Sequence, residues 1–167
     1  RPPALQLGPN ERWHLFLSHT WGSGQDQAHA LKEQTSRMLP SCKVFLDVHD
    51  LDDIDKLEQY IAATAVILLF ISKDYFKSPN CLREVRAALD QKKPLLLVHE
   101  ANVKRGGDTL DALMSECPEE LRDAVFSGRP VLPYLRLPQL QIQTVVEICL
   151  GVVRVSGKMA KGSWLRG

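Results

Sequence analysis

Residues 65–71 pass through Val66, Ile67, Leu68, Leu69 and Phe70 without a polar position, the pattern of a strand covered on both faces, as in a parallel sheet. Shorter apolar stretches at 13–18, 43–48 and 94–98 predict three more strands. A fifth is expected at 131–135, where Pro133 suits only a sheet edge. Helical spacing fills the intervals. Across 25–39, Ala28, Leu31, Met38 and Leu39 fall roughly on one face before Pro40 ends the run. Residues 54–63 align Leu57 with Ile61. Ser78 can cap a helix that Pro79 opens, since a first-turn proline gives up no hydrogen bond, and Cys81, Leu82, Val85, Ala88 and Leu89 then share an apolar face. One or two short helices are expected in 101–128, including 119–126, after the break at Gly106 and Gly107. From 139 to 155, Ile142, Val145, Val146, Cys149, Val152 and Val153 keep helical spacing, with Ile148 and Leu150 widening the stripe.

Strands alternating with helices predict an α/β fold, a flavodoxin-like, doubly wound five-stranded parallel sheet flanked by helices. Right-handed crossovers put every strand's carboxyl end on one edge, where ligands bind. The loops after Ser18, Val48, Ser72 and Val98 are therefore the places to look for chemistry. Residues 1–11, with Pro2, Pro3, Gly8 and Pro9, read as a leader, 12–155 as the domain, and 156–167 as a flexible tail.

A chain of 167 residues suits one domain with a core of its own. With 21 Lys and Arg against 20 Asp and Glu, the formal charge is only +1, so bulk attraction to nucleic acid or to an anionic membrane is not expected. The longest apolar run is too short to cross a bilayer. Cys42, Cys81, Cys117 and Cys149 are scattered, with no CxxC pair and no His at zinc-like spacing. Their even number allows disulfides, whereas their scatter, with no signal sequence ahead of them, reads better as reduced thiols in the cytoplasm.

Three loops carry candidate chemistry. Between Ser18 and Gln25, Gly22 and Gly24 alternate with hydroxyls ahead of a helix, which suits either a phosphate cradle of backbone N–H groups or a flexible turn with Trp21 on the surface. Between Asp47 and Asp55 there are five aspartates. Ile54 and a missing glycine break the calcium-loop frame, leaving a solvated acidic loop whose last members favour the next helix start. Ser18, His19 and Ser72 stand where a response-regulator receiver would carry its acids, so that reading fails. The third loop leads into the helix at Pro79, in which Glu84 lies roughly 100° from the apolar centre and less than two turns from the cap. That carboxylate is either half sheltered at the ligand edge or an exposed acid paired with a neighbouring Lys or Arg.

In this order, the motifs resemble a Toll/interleukin-1 receptor (TIR) domain across residues 13–155. Leu15-Phe16-Leu17-Ser18-His19 is similar to that family's opening strand. Val44-Phe45-Leu46-Asp47, the acidic loop and Ile54 resemble its second strand and BB loop, here His49, Asp50, Leu51, Asp52 and Asp53. Ile67 to Tyr75 resembles the strand that ends in S-x-x-Y, and Ser78-x-x-Cys81-Leu82-x-Glu84-Val85 is similar to the S-x-W-C-x-x-E-L helix start. The family's Trp four residues before the glutamate falls on Asn80, so a stacking surface has to come from Trp21 or Tyr75.

TIR domains act as self-associating signalling scaffolds, in innate immunity among other settings, and some cleave the nicotinamide–ribose bond of NAD. The resemblance implies Glu84 as the catalytic residue of such an NADase. It places Ser18, His19, Trp21, Gly22, Tyr75, Ser78 and Asn80 around the substrate. It implies homotypic TIR contacts through the BB loop and the last helix, with no metal and no cofactor, NAD being the substrate. The alternative is a non-catalytic scaffold in which Glu84 is a surface acid.

Overall fold

The computed structural model describes residues 3–46 and 55–157. In chain order it contains β1 (Trp13–Ser18), α1 (Gln25–Met38), β2 (Val44–Leu46), α2 (Leu57–Ala62), β3 (Thr64–Ile71), α3 (Pro79–Asp90), β4 (Leu95–His99), α4 (Leu110–Glu116), α5 (Glu119–Phe126), β5 (Val131–Pro133) and α6 (Pro138–Ser156). The strands pair in parallel in the order β2-β1-β3-β4-β5. The flavodoxin-like sheet expected from the alternation is the fold observed.

Boundaries move where backbone chemistry dictates. Pro94 lends its carbonyl to the Ile67 N–H at 3.0 Å but has no N–H of its own, so β4 begins at Leu95. Residues 101–128 hold two α-helices after a 3-10 turn at Val103–Arg105: the Thr109 side chain caps α4, accepting from the Ala112 N–H at 3.2 Å, and Pro118 separates α4 from α5.

The side-chain alternation of a strand explains why β3 has no polar position after Thr64. Ile67, Leu69 and Ile71 enter one layer with Phe16, Val85, Ala88 and Val125. Val66, Leu68 and Phe70 enter the opposite layer with Leu31, Val145, Ile148 and Val152. All eight β3 residues are buried, and each large side chain contributes about 1.5–3 kcal/mol. Helix α6 lies close on β4 at Gly151, where a Cβ would sit 2.7 Å from Leu96 Cδ2.

Near the ends of the domain, Leu5 bridges Gly157 in antiparallel fashion, and the Gln6 N–H donates to Ser156 O at 2.6 Å. All four cysteines are buried as thiols with no disulfide among them, so of the two cysteine readings the disulfide one falls. Burial pushes the Cys42 thiol up to about 12 and those of Cys117 and Cys149 up to about 11. Among the described residues no helix is long and apolar enough to cross a membrane.

Candidate functional site

β1 ends on Ser18, which the alternation of the strand turns to the same side as Phe16, toward α3. Helix α3 starts where the sequence says it should. Ser78 has extended backbone angles, its side chain accepts from the Cys81 N–H at 3.3 Å, and Pro79 follows in the first turn. The second turn then carries Glu84 against the end of β1. Its carboxylate is only 3% exposed, which removes the exposed-acid reading and is deeper than half sheltered.

Ser18 Oγ donates its hydrogen to Glu84 Oε2. Tyr75 Oη lies 2.6 Å from the same Ser18 oxygen, and because the serine hydrogen is committed, the tyrosine must be the donor there. Tyr75 is wholly buried, and burial first, then Cys81 and Glu84, pushes its phenol well above the ordinary value. It therefore keeps the proton this chain of bonds requires. The expectation that Tyr75 offers a flat stacking wall is corrected: Asp74, at φ 66°, turns the chain so that the ring enters the core and meets Phe76 edge-on.

A cavity of about 280 Å³ opens beside Glu84, lined by His19, Thr20, Trp21, Ser78, Asn80, Cys81 and Glu84. The structure thus gathers five expected residues, His19, Trp21, Ser78, Asn80 and Glu84, around one space, with Ser18 behind the carboxylate. Trp21 is 47% exposed and is the aromatic residue of this cavity's lining. The Cys81 thiol donates to His19 O at 3.4 Å, tying the first turn of α3 to the loop after β1. His19 is buried, with Nδ1–H directed at Leu17 O at 3.3 Å, and among the described residues its Nε2 has no hydrogen-bond partner. Burial chiefly, with His29 adding to it, holds the imidazole below its ordinary pKa against the opposing Leu17 bond, so the ring stays neutral. The expected BB-loop residues His49, Asp50, Leu51, Asp52 and Asp53 lie outside the described residues. Among the described residues no cluster of three or more His, Cys, Asp or Glu suits a metal ion.

Gly22 lines a second cavity instead, of about 400 Å³, which shares Trp21 with the first and is closed by Arg105, Gly106, Tyr134 and Arg136. Beneath it lies a polar cluster that the sequence pattern did not single out. Glu100, 1% exposed at the end of β4, pairs with Arg136. It also accepts from Gln27 Nε2 at 3.2 Å and from the Asn102 N–H at 2.9 Å. Gln27 further donates to Arg105 O at 2.9 Å. Two glycines allow this closeness. A Cβ at Gly106, where φ is +83°, would lie 2.7 Å from Ser23 O, and one at Gly107 would lie 2.2 Å from Glu100 O. The Gly106-Gly107 pair was the sequence signal for this loop; nothing local marked Arg136.

The family model for the TIR domain matches residues 15–126 of this chain. Among solved structures, a TIR-STING receptor from C. gigas, solved in complex with 2',3'-cGAMP, superposes with a TM-score of 0.60 at 13% identity, covering 91% of this chain and 42% of that one. This chain thus spans less than half of that receptor. The TIR domain of the Toll-related receptor TRR-2 from Hydra magnipapillata gives a TM-score of 0.55 at 12% identity, covering 86% of this chain and 99% of that one. A flavodoxin-like domain from Synechococcus gives 0.50 at 13% identity, covering 84% and 97%. A search of the curated proteins found no match.

Proposed function

Because this chain belongs to the TIR domain family, we propose that it is a signalling domain that cleaves the nicotinamide–ribose bond of NAD when copies of it assemble, NAD being substrate rather than resident cofactor. The observation that carries this reading is Glu84, a carboxylate 3% exposed on the wall of the cavity at the sheet's carboxyl edge.

Nicotinamide leaves from a cationic ring as a neutral molecule, so no acid has to protonate it, and the two carboxylates of ordinary glycosidases reduce to one. As the bond lengthens, positive charge gathers on the ribose. Glu84 beside it stabilises that charge, more strongly because the carboxylate is buried. Ser18, fixed in turn by Tyr75, holds Oε2 in place. Ser78 and Asn80 orient the sugar, and Trp21 supplies the flat surface that Asn80 cannot. Water then adds to the ribose carbon to give ADP-ribose, or an internal nucleophile closes a cyclic product. The test is nicotinamide release from NAD, with the chain concentrated enough to assemble. Release by the wild type and its loss in Glu84→Ala support the reading. An inert wild type overturns it.

A second reading, a scaffold without catalysis, is favoured by Asn80 in the place of the family's Trp and by the apolar residues left at the surface of α6. Ile142 is 53% exposed, and Val146, Leu150 and Val155 accompany it. Both readings use this helix for contacts between copies. Light scattering across concentration tests that contact: the wild type grows in mass, and Ile142→Lys stays monomeric. On the scaffold reading, assembly survives Glu84→Ala and no nicotinamide appears.

A further inference from the structure

The cavity beside Gly22 is larger than the one at Glu84, about 400 Å³ against about 280 Å³, and lies within the range of roughly 300–1,000 Å³ in which small-molecule sites fall. The two cavities share the Trp21 side chain as a wall, so they follow one another along the carboxyl edge of the sheet. A dinucleotide has two ends, and two cavities with a shared wall can take one each.

We propose that the second cavity, whose lining includes Trp21, Arg105 and Arg136, seats the nucleoside phosphate at the far end of the dinucleotide. The fold commits unusual resources to this place. Arg136 is held over the Tyr134 ring, 5.3 Å from its centroid, and against buried Glu100. A guanidinium fixed in this way keeps donors to spare, since one of its five N–H groups is used on Glu100. A guanidinium held over an aromatic ring offers a face against which a base can lie, and the Trp21 indole is a further flat surface on the same lining. Burying Glu100 is weak as a stability device, because desolvation offsets most of what the ion pair gains. It makes sense as the post that sets Arg136. Gln27, at the start of α1, joins this post to the backbone of Arg105, so the elements that form the cavity are tied together beneath it.

Charge agrees with this assignment. Arg105 is exposed, and among the described residues its guanidinium has no carboxylate partner, whereas Arg136 is matched by Glu100. Asp26 is the acidic residue on the lining, at the exposed start of α1, and it confines a phosphate to the Arg105 side. The chemical class is thus a phosphate beside a flat heteroaromatic ring, an adenosine monophosphate unit when the substrate is NAD. The proposal rests on the NAD reading for the identity of the whole ligand, but the seat itself needs no turnover.

The experiment uses the full chain and three probes, AMP, ADP-ribose and nicotinamide riboside, followed by amide and indole NMR shifts and by titration calorimetry. AMP and ADP-ribose are expected to shift the Trp21 indole N–H and the Gly106 amide. Arg105→Glu, an exposed substitution that leaves the core intact, is expected to weaken both by at least about tenfold. Nicotinamide riboside, which lacks the phosphate and the adenosine, binds the variant as it binds the wild type. In turnover, Arg105→Glu raises KM for NAD and leaves kcat unchanged. If AMP binding depends on Arg105 but no NAD is cleaved, the seat stands and the NADase reading falls. If AMP leaves Trp21 and Gly106 unmoved, or binds Arg105→Glu as tightly as the wild type, the seat is overturned whether or not NAD is cleaved.

Discussion

Two carboxylates lie buried at the same edge of the sheet, Glu84 at 3% exposure and Glu100 at 1%, and they are built for different work. Glu100 is surrounded by donors: the Arg136 guanidinium, the Gln27 amide and the Asn102 N–H. It lies beneath a cavity without lining it, and its effect is to tie loops together. Glu84 accepts from the Ser18 hydroxyl and forms part of its cavity's wall. Burial alone therefore does not identify a catalytic acid. What separates the two is whether the carboxylate borders a space that a substrate can enter.

Substitutions that keep shape but remove charge should drive the two sites apart. The largest effect is expected at Glu84→Gln, which lowers kcat for nicotinamide release by about 10²–10³ while the unfolding midpoint stays near the wild-type value. Glu100→Gln should do the reverse. Loss of the ion pair costs about 2 kcal/mol of stability, visible in urea unfolding, and kcat per folded molecule is kept. A variant at Glu100 that loses kcat as completely as one at Glu84 would erase the distinction.

The next effect in size tests how Glu84 is held. Ser18→Ala removes the donor to Glu84 and the acceptor of the Tyr75 hydroxyl together, and kcat should fall roughly tenfold. An unchanged kcat would mean that the carboxylate is held without the serine. The smallest effect concerns pH. Burial holds His14 and His19 below the ordinary histidine value of 6.5, so each stays neutral in the fold but takes up a proton readily once unfolded. Their contribution is complete above that value and is lost as pH falls below it. The unfolding midpoint should therefore drop on acidification through this range, and His19→Gln should flatten the drop.

Much of this was legible along the chain, for reasons that differ from element to element. β3 announces itself because the run from Ala65 to Ile71, covered on both faces, is apolar throughout, and α3 because a Ser cap followed by Pro leaves few other conformations for its first turn. Helical geometry fixed the place of Glu84 near the cap but left a sheltered and an exposed carboxylate both open, and it was the resemblance that singled the residue out. The role of Tyr75 was misread. Its position in the motif says nothing about which way the ring turns, and that is decided by the left-handed backbone at Asp74. The Glu100 and Arg136 pair could not be found from local pattern at all. The two residues are 36 positions apart, on different loops, and only the parallel pairing of β4 with β5 brings them together.

The central claim is that the carboxylate of Glu84 acts directly on the ribose. Chemical rescue tests it most closely: nicotinamide release by the Glu84→Ala chain is measured with and without added formate, a carboxylate small enough for the cavity. The account predicts an inactive variant whose release is partly restored by formate, with no such gain for Ser18→Ala. A Glu84→Ala chain that releases nicotinamide as fast as the wild type, with or without formate, would contradict it.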